Sequence, residues 1–271
     1  MNRIRKKFNE LHATGGKALI PYITPEFPLK GMTLPLLEEL EQAGADLIEI
    51  GIPFSDPLAD GETIQRSSDV ALHNGVTIGT ILDVVSQFRT RSQLPLVLMG
   101  YINPILRRGV DRFLSDCRTS GVDGVIIPDL PPEEASHFKS ACGETGISAI
   151  FLVAPTTPDE RIRRIDNLST DFSYCVSITG VTGERAQLGE GDSLGQFLKR
   201  VRSNAQKPFV VGFGISKSEH VKRVWEHADG AVVGSALINV LARASSQREA
   251  LKAAREFLLS LRPFEGTVAH E

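Results

Sequence analysis

The chain has 271 residues, 41% of them hydrophobic and 23% charged, an ordinary globular balance that excludes disorder over most of its length. Its 30 basic and 33 acidic residues leave a net charge of −3, so no basic field draws it to nucleic acid or to an anionic membrane surface. Aromatics make up only 6%, too few for a single-strand stacking platform. Cys117, Cys142 and Cys175 are widely spaced and odd in number. They form neither a disulfide framework nor a zinc ribbon and read as reduced thiols partly in the core. The six histidines never fall in H-x-x-x-H spacing, which disfavours a dedicated metal site. The basic N-terminus is followed by no apolar run, and no stretch approaches the ~18 apolar residues of a membrane span. A cytoplasmic chain is expected.

Residues 1–16 read as an extra helix that closes the bottom of the fold. Short hydrophobic runs then recur at Ala18–Ile23, 46–51, 95–100, 122–128, 147–153, 172–177, 208–212 and 229–234, each bounded by Gly or Pro. Near-continuous apolar runs fit parallel strands buried on both faces. Between them lie segments with helical spacing, such as Leu34, Leu37 and Leu40, then Ile78, Ile81, Leu82 and Val85, then Leu194, Phe197, Leu198 and Val201. They predict amphipathic helices packed on a sheet. A weak repeat marks the helix-to-strand junctions: A-G-A-D-L-I-E-I, S-G-V-D-G-V-I-I and E-H-A-D-G-A-V-V. A glycine at a helix end permits the left-handed turn into the strand. Eight alternating units over about 250 residues match a (β/α)8 TIM barrel, with a doubly wound open sheet as the alternative. No linker splits the chain, so residues 1–271 are expected to form one barrel domain, with 262–271 as a fraying tail.

Function in such a barrel gathers at the C-terminal strand ends. In the second strand, alternation puts Leu47, Glu49 and Gly51 on one face and Ile48 and Ile50 on the other. With the isoleucines against helices, Glu49 points into the barrel mouth, where burial raises a carboxyl pKa and suits it to acid–base work. A structural Glu paired with Lys or Arg is the plain alternative. The next loop, G-I-P-F-S-D-P-L-A-D-G, adds Asp56 and Asp60. Asp60 either joins Glu49 at the mouth or merely caps the helix starting near Glu62. Glycine-rich motifs follow strands six to eight: T-G-V-T-G at 179–183, G-F-G-I-S at 212–216 and G-S-A at 234–236. Such loops let backbone N–H groups converge on an anion, the usual phosphate cradle of this fold; tight strand–helix packing is the alternative. The long polar segment 179–192 suits a lid or a passive loop.

The motifs 16–24 (G-K-A-L-I-P-Y-I-T), 45–61, Gly100-Tyr101 with Asn103-Pro104, 128–131 (P-D-L-P), 179–183, 211–216 and 232–236 run in order along nearly the whole chain. Together they resemble the tryptophan synthase alpha chain family. The resemblance implies a lyase that cleaves indole-3-glycerol phosphate to indole and glyceraldehyde 3-phosphate. It implies no cofactor in this chain, and a beta subunit carrying pyridoxal phosphate that receives the indole within an α2β2 tetramer. By motif position, Glu49 is the acid/base and Asp60 accepts the indole N–H. Gly183, Gly214, Gly234 and Ser235 hold phosphate, with Gly212 and Phe213 shaping the loop. Tyr22, Met99, Ile126 and Tyr174 line the indole pocket, and Thr182 closes onto Asp60. Pro53, Asp56, Leu58, Asn103, Leu130 and Pro131 are expected on an exposed partner interface. Where the family usually has Ala-Gly-Asp-Pro this chain has Pro25-Glu26-Phe27-Pro28, losing a glycine, so the first loop is expected to change shape. Other barrel isomerases or aldolases are the rival reading, although no predicted strand offers a Schiff-base lysine. A subunit kept only to activate a partner, or a stand-alone indole-releasing lyase, are further alternatives.

Overall fold

The computed structural model describes residues 2–176, 193–212 and 214–262. Nine parallel strand segments follow the predicted runs: β1 Ala18–Ile23, β2 Ile48–Gly51, β3 Leu96–Met99, β4 Gly124–Ile126, β5 Ser148–Ile150, β6 Leu152–Val153, β7 Ser173–Val176, β8 Phe209–Gly212 and β9 Gly230–Val233. The sheet order is β5-β4-β3-β2-β1-β9-β8-β7-β6. β1 pairs with both β2 and β9, which an open sheet of the doubly wound alternative would not require. At the far side, β5 and β6 are two halves of the single predicted strand 147–153. β5 pairs with β4 and β6 with β7, and at the break Tyr174 N donates to Phe151 O at 3.0 Å. The fifth strand therefore gives each half of its length to a different neighbour, and the barrel closes there.

The repeat read in the sequence has a clear physical role. Gly44 and Gly121 take left-handed φ values of +91° and +89° at helix ends. The aspartates that follow turn back to bind a main-chain N–H at the start of a neighbouring strand: Asp46 accepts from Leu19 at 3.0 Å, Asp123 from Leu96 at 2.9 Å and Asp229 from Phe209 at 3.0 Å. Each carboxylate also meets an arginine: Arg262, Arg89 and Arg202, respectively. These pairs form the floor of the barrel, opposite the mouth. The extra helix, Arg3–Thr14, seals that floor. Asn2 caps it, accepting from Ile4 N, and also donates to Asp123 O at 2.8 Å. Arg3 reaches Asp123 and Arg5 reaches the buried Asp171.

The C-terminal boundary shifts from the sequence reading. Arg262, expected to open a fraying tail, is tied to Asp46 at 2.9 Å and to the carbonyl of Gly44, and the residues beyond it lie outside the described ones. In the first loop, Glu26 takes the left-handed turn itself, at φ +54°. Its N–H donates to Thr33 Oγ1 at 2.8 Å, while its carboxylate accepts from Thr33 Oγ1 and from Gly31 N. Those bonds offset the steric cost that glycine avoids at such a position. All three cysteines are buried and free. Among the described residues no helix is long and apolar enough to cross a membrane.

Candidate active site

The mouth holds a cavity of about 260 Å³ lined by residues from several strand ends. β1 and β2 are parallel with Tyr22 opposite Glu49, and β2 and β3 put Gly51 opposite Met99. Directly paired side chains share a face, so Tyr22, Glu49 and Met99 all reach the cavity, as does Tyr174 from β7. Two glycines make room for the tyrosines. A Cβ on Gly51 would lie 2.0 Å from Tyr22 Oη, and one on Gly212 would lie 2.0 Å from Tyr174 Oη. Each ring is thus laid over a backbone that has no side chain, one strand further along the sheet. Burial pushes both tyrosine hydroxyls up, so both stay neutral.

Glu49 is 2% exposed and its Oε1 has no hydrogen-bond partner among the described residues. No lysine or arginine pairs with it there, against the structural alternative. Burial, and then the negative charge of Asp60, push its carboxyl up to about 8, so at neutral pH it carries a proton. Asp60 is also pushed up by burial, opposed by a hydrogen bond from Tyr101. The helix Glu62–His73 starts at Gly61 without a side-chain cap, so Asp60 is not its capping residue. Two carboxyls in one cavity, one of them protonated, make a site for moving a proton beside a fixed negative charge.

The opposite wall of the cavity is the glycine-rich one. Gly214, Ile215 and Ser216 follow β8, and Gly234, Ser235 and Ala236 follow β9. Gly234 precedes the helix Ser235–Leu241, whose first turn leaves main-chain N–H groups without intrahelical partners.

The predicted residues divide three ways. Tyr22, Glu49, Asp60, Met99, Tyr174, Gly214, Gly234 and Ser235 line the cavity together. Ile126 is buried on β4 beside Met99, and Gly212 lies beneath Tyr174; neither is among the lining residues. Thr182, Gly183 and Phe213, with the segment 179–192, fall outside the described residues. Ile64 and Asn239 in the lining carry no role read from the sequence, nor individually do Ile215, Ser216, Val232 and Ala236, which lie within the motifs 212–216 and 232–236. Asn239 stands four residues after Ser235 on one helix, a spacing that puts both on one face and could have found it.

Of the residues expected on an exposed face, Leu58 is 97% exposed and Asp56 and Asn103 are exposed. Leu130 and Pro131 are half-buried. Pro53 is buried, because the loop turns inward as it leaves β2 and only its tip projects. Phe54, half-buried, lies against Tyr101 with ring centroids 5.4 Å apart.

The sequence model of the tryptophan synthase alpha chain family matches residues 8–266. The tryptophan synthase alpha chain of Roseiflexus castenholzii is 51% identical over 263 residues, 97% of this chain and all of that one. The subunit alpha structure from Legionella pneumophila superposes with a TM-score of 0.89 at 38% identity, covering 97% of each chain. A chain from the tryptophan synthase α2β2 complex of Pyrococcus furiosus, described for its mutual activation, gives a TM-score of 0.84 at 43% identity, covering 90% of this chain and 97% of that one.

Proposed function

The chain belongs to the tryptophan synthase alpha chain family, and we propose that its barrel mouth cleaves indole-3-glycerol phosphate with Glu49 as the proton carrier and Asp60 as the electrostatic partner. The enzyme is a lyase of tryptophan biosynthesis, and the reaction is a retro-aldol cleavage to indole and glyceraldehyde 3-phosphate. Protonated Glu49 gives its proton to indole C3, which puts positive charge on the ring nitrogen. Asp60 accepts the ring N–H and stabilises that charge. The Glu49 carboxylate then takes the proton of the hydroxyl on the carbon attached to C3. As that carbon becomes the aldehyde, the C–C bond electrons return to the ring and indole leaves. Glu49 ends with the proton it began with, so the cycle balances within this chain's own side chains and no cofactor enters it.

In this reading Tyr22, Met99 and Tyr174 hold the indole, with Ile126 packed behind. The phosphate sits on Gly214, Gly234 and Ser235; Thr182, Gly183 and Phe213, expected to complete this end of the site, lie outside the described residues. The partner is a beta subunit that uses pyridoxal phosphate to join the released indole to serine, and the tip around Asp56 and Leu58 faces it. The observation that carries the assignment is the buried carboxyl of Glu49, whose Oε1 has no partner among the described residues, in the same cavity as Asp60. An indole-release assay on the wild type and Glu49→Gln, with and without a beta subunit, tests it. The variant is expected to lose the ~10²–10⁴-fold that acid–base catalysis supplies. Retention of more than about a tenth of the rate would overturn the role of Glu49.

A further inference from the structure

The loop 52–60 carries Asp60 into the mouth on few ties. Ser55 Oγ donates to Asp56 Oδ2 at 2.5 Å, a bond that holds the loop only to itself. Gln65 Nε2 donates to the carbonyl of Asp60 at 2.8 Å and more loosely to that of Pro57 at 3.4 Å. At the root, Ile52 N donates to Met99 O at 2.7 Å, and a further anchor is Tyr101, at the exit of β3. Its ring backs Phe54, and its hydroxyl accepts the N–H of Ala59 at 2.9 Å, next to the Asp60 carboxylate whose pKa it lowers. A phenol has one proton to give. With the Ala59 N–H on a lone pair, that proton is free for the carboxylate. Tyr101 is 5% exposed and is not among the residues that line the cavity.

We infer that Tyr101 is a positioning residue for the cleavage reaction: its hydroxyl clamps Ala59 and Asp60 together, so that the carboxylate meets the indole N–H in one orientation. The inference rests on Asp60 as the acceptor of that N–H. The division of labour is geometric. Gln65 fixes the main chain of Asp60, the Ile52–Met99 main-chain bond and the Phe54–Tyr101 contact fix the root of the loop, and the hydroxyl fixes the charged group. A carboxylate free to rotate would lose the preorganisation that makes such charges effective.

The titratable groups facing Asp60 are Tyr101 after β3, Glu49 on β2, Tyr22 on β1 and Tyr174 on β7. Burial raises the Asp60 carboxyl and the Tyr101 hydroxyl lowers it. Removing the hydroxyl raises it further, so Asp60 loses its charge at a higher pH.

Tyr101→Phe keeps the ring and its contact with Phe54 and removes only the hydroxyl. It is expected to fold with an unchanged melting temperature and to lose ~10–100-fold in kcat, with KM within about 3-fold of wild type. The acid limb of its kcat–pH profile moves to higher pH. A wild-type kcat, or a reduced kcat with an unmoved acid limb, overturns the inference. Asp60→Asn separates the two levels. If Asp60→Asn cleaves at the wild-type rate, the reading of Asp60 fails and the inference falls with it. If Asp60→Asn is inactive while Tyr101→Phe is unaffected, only the role of Tyr101 fails. Adding Tyr101→Phe to Asp60→Asn should change the residual rate less than about 2-fold; a further independent loss shows that Tyr101 acts through something else and also overturns it.

Discussion

Glu49 opposes the fold it serves. An unfolded glutamate ionises near 4.5, whereas this one is pushed up to about 8. The residue's contribution to stability is therefore intact below about pH 4.5 and lost as pH rises through about 8, with a ceiling of about 5 kcal/mol reduced by whatever water enters the cavity. Glu49→Gln removes that liability. Thermal unfolding should show the variant matching wild type near pH 4.5 and melting higher at pH 9, even as its lyase activity disappears. Equal melting at both pH values would show that the carboxyl is not held neutral by burial. The inward direction of Glu49 was legible because alternation along one short strand decides it. The surroundings of Asp60 were not, because they depend on Tyr101, brought against the loop from the next strand. No local pattern near Asp60 announces a tyrosine more than 40 residues on.

At the scale of elements, strands were legible and several helices were not. Continuous apolar runs between Gly and Pro are strong signals, and all eight correspond to observed strands, with the fifth split. The helices Ile102–Arg108, Ser136–Thr145 and Gln247–Leu261 were missing from the periodicity. The first has only seven residues. The last buries Ala250 and Ala254 with Leu258 and Leu261, and alanine marks a buried stripe poorly. The lost glycine at Glu26 was legible as a departure, but not the bonds from Thr33 and Gly31 that keep the turn. The pairing of a tyrosine on one strand with a glycine on the next was also hidden, since it requires the register. Gly212→Ala would drive the Tyr174 ring out of its place. It is expected to cost about 1–3 kcal/mol of stability and to raise KM for indole-3-glycerol phosphate as the displaced ring enters the cavity. Wild-type KM with wild-type stability would mean that the ring has another resting place.

Across the whole molecule, mouth and floor divide the work. The mouth carries the two carboxyls and a loop tip in which Leu58 stands nearly free of the protein and Asp56 is exposed. Asp56→Ala is expected to leave basal indole release unchanged while shifting the beta-subunit titration to higher concentration. Wild-type stimulation at the wild-type midpoint would remove Asp56 from the interface. The floor is held by aspartates that meet arginines and neighbouring strand amides, and this arrangement sets an order of assembly. The helix Arg3–Thr14 precedes the barrel strands in the chain, but its ties through Asn2, Arg3 and Arg5 run to Asp123 and Asp171, 121, 120 and 166 residues away. Its own buried face is small, with Ile4 and Phe8 as the buried residues. A segment with such distant partners waits for the chain that binds it. Pulse-labelled hydrogen exchange during refolding should find the amides of Arg3–Thr14 protected after those of β1 to β4. A helix that precedes every strand of the barrel would then lock only after strands that follow it in the chain.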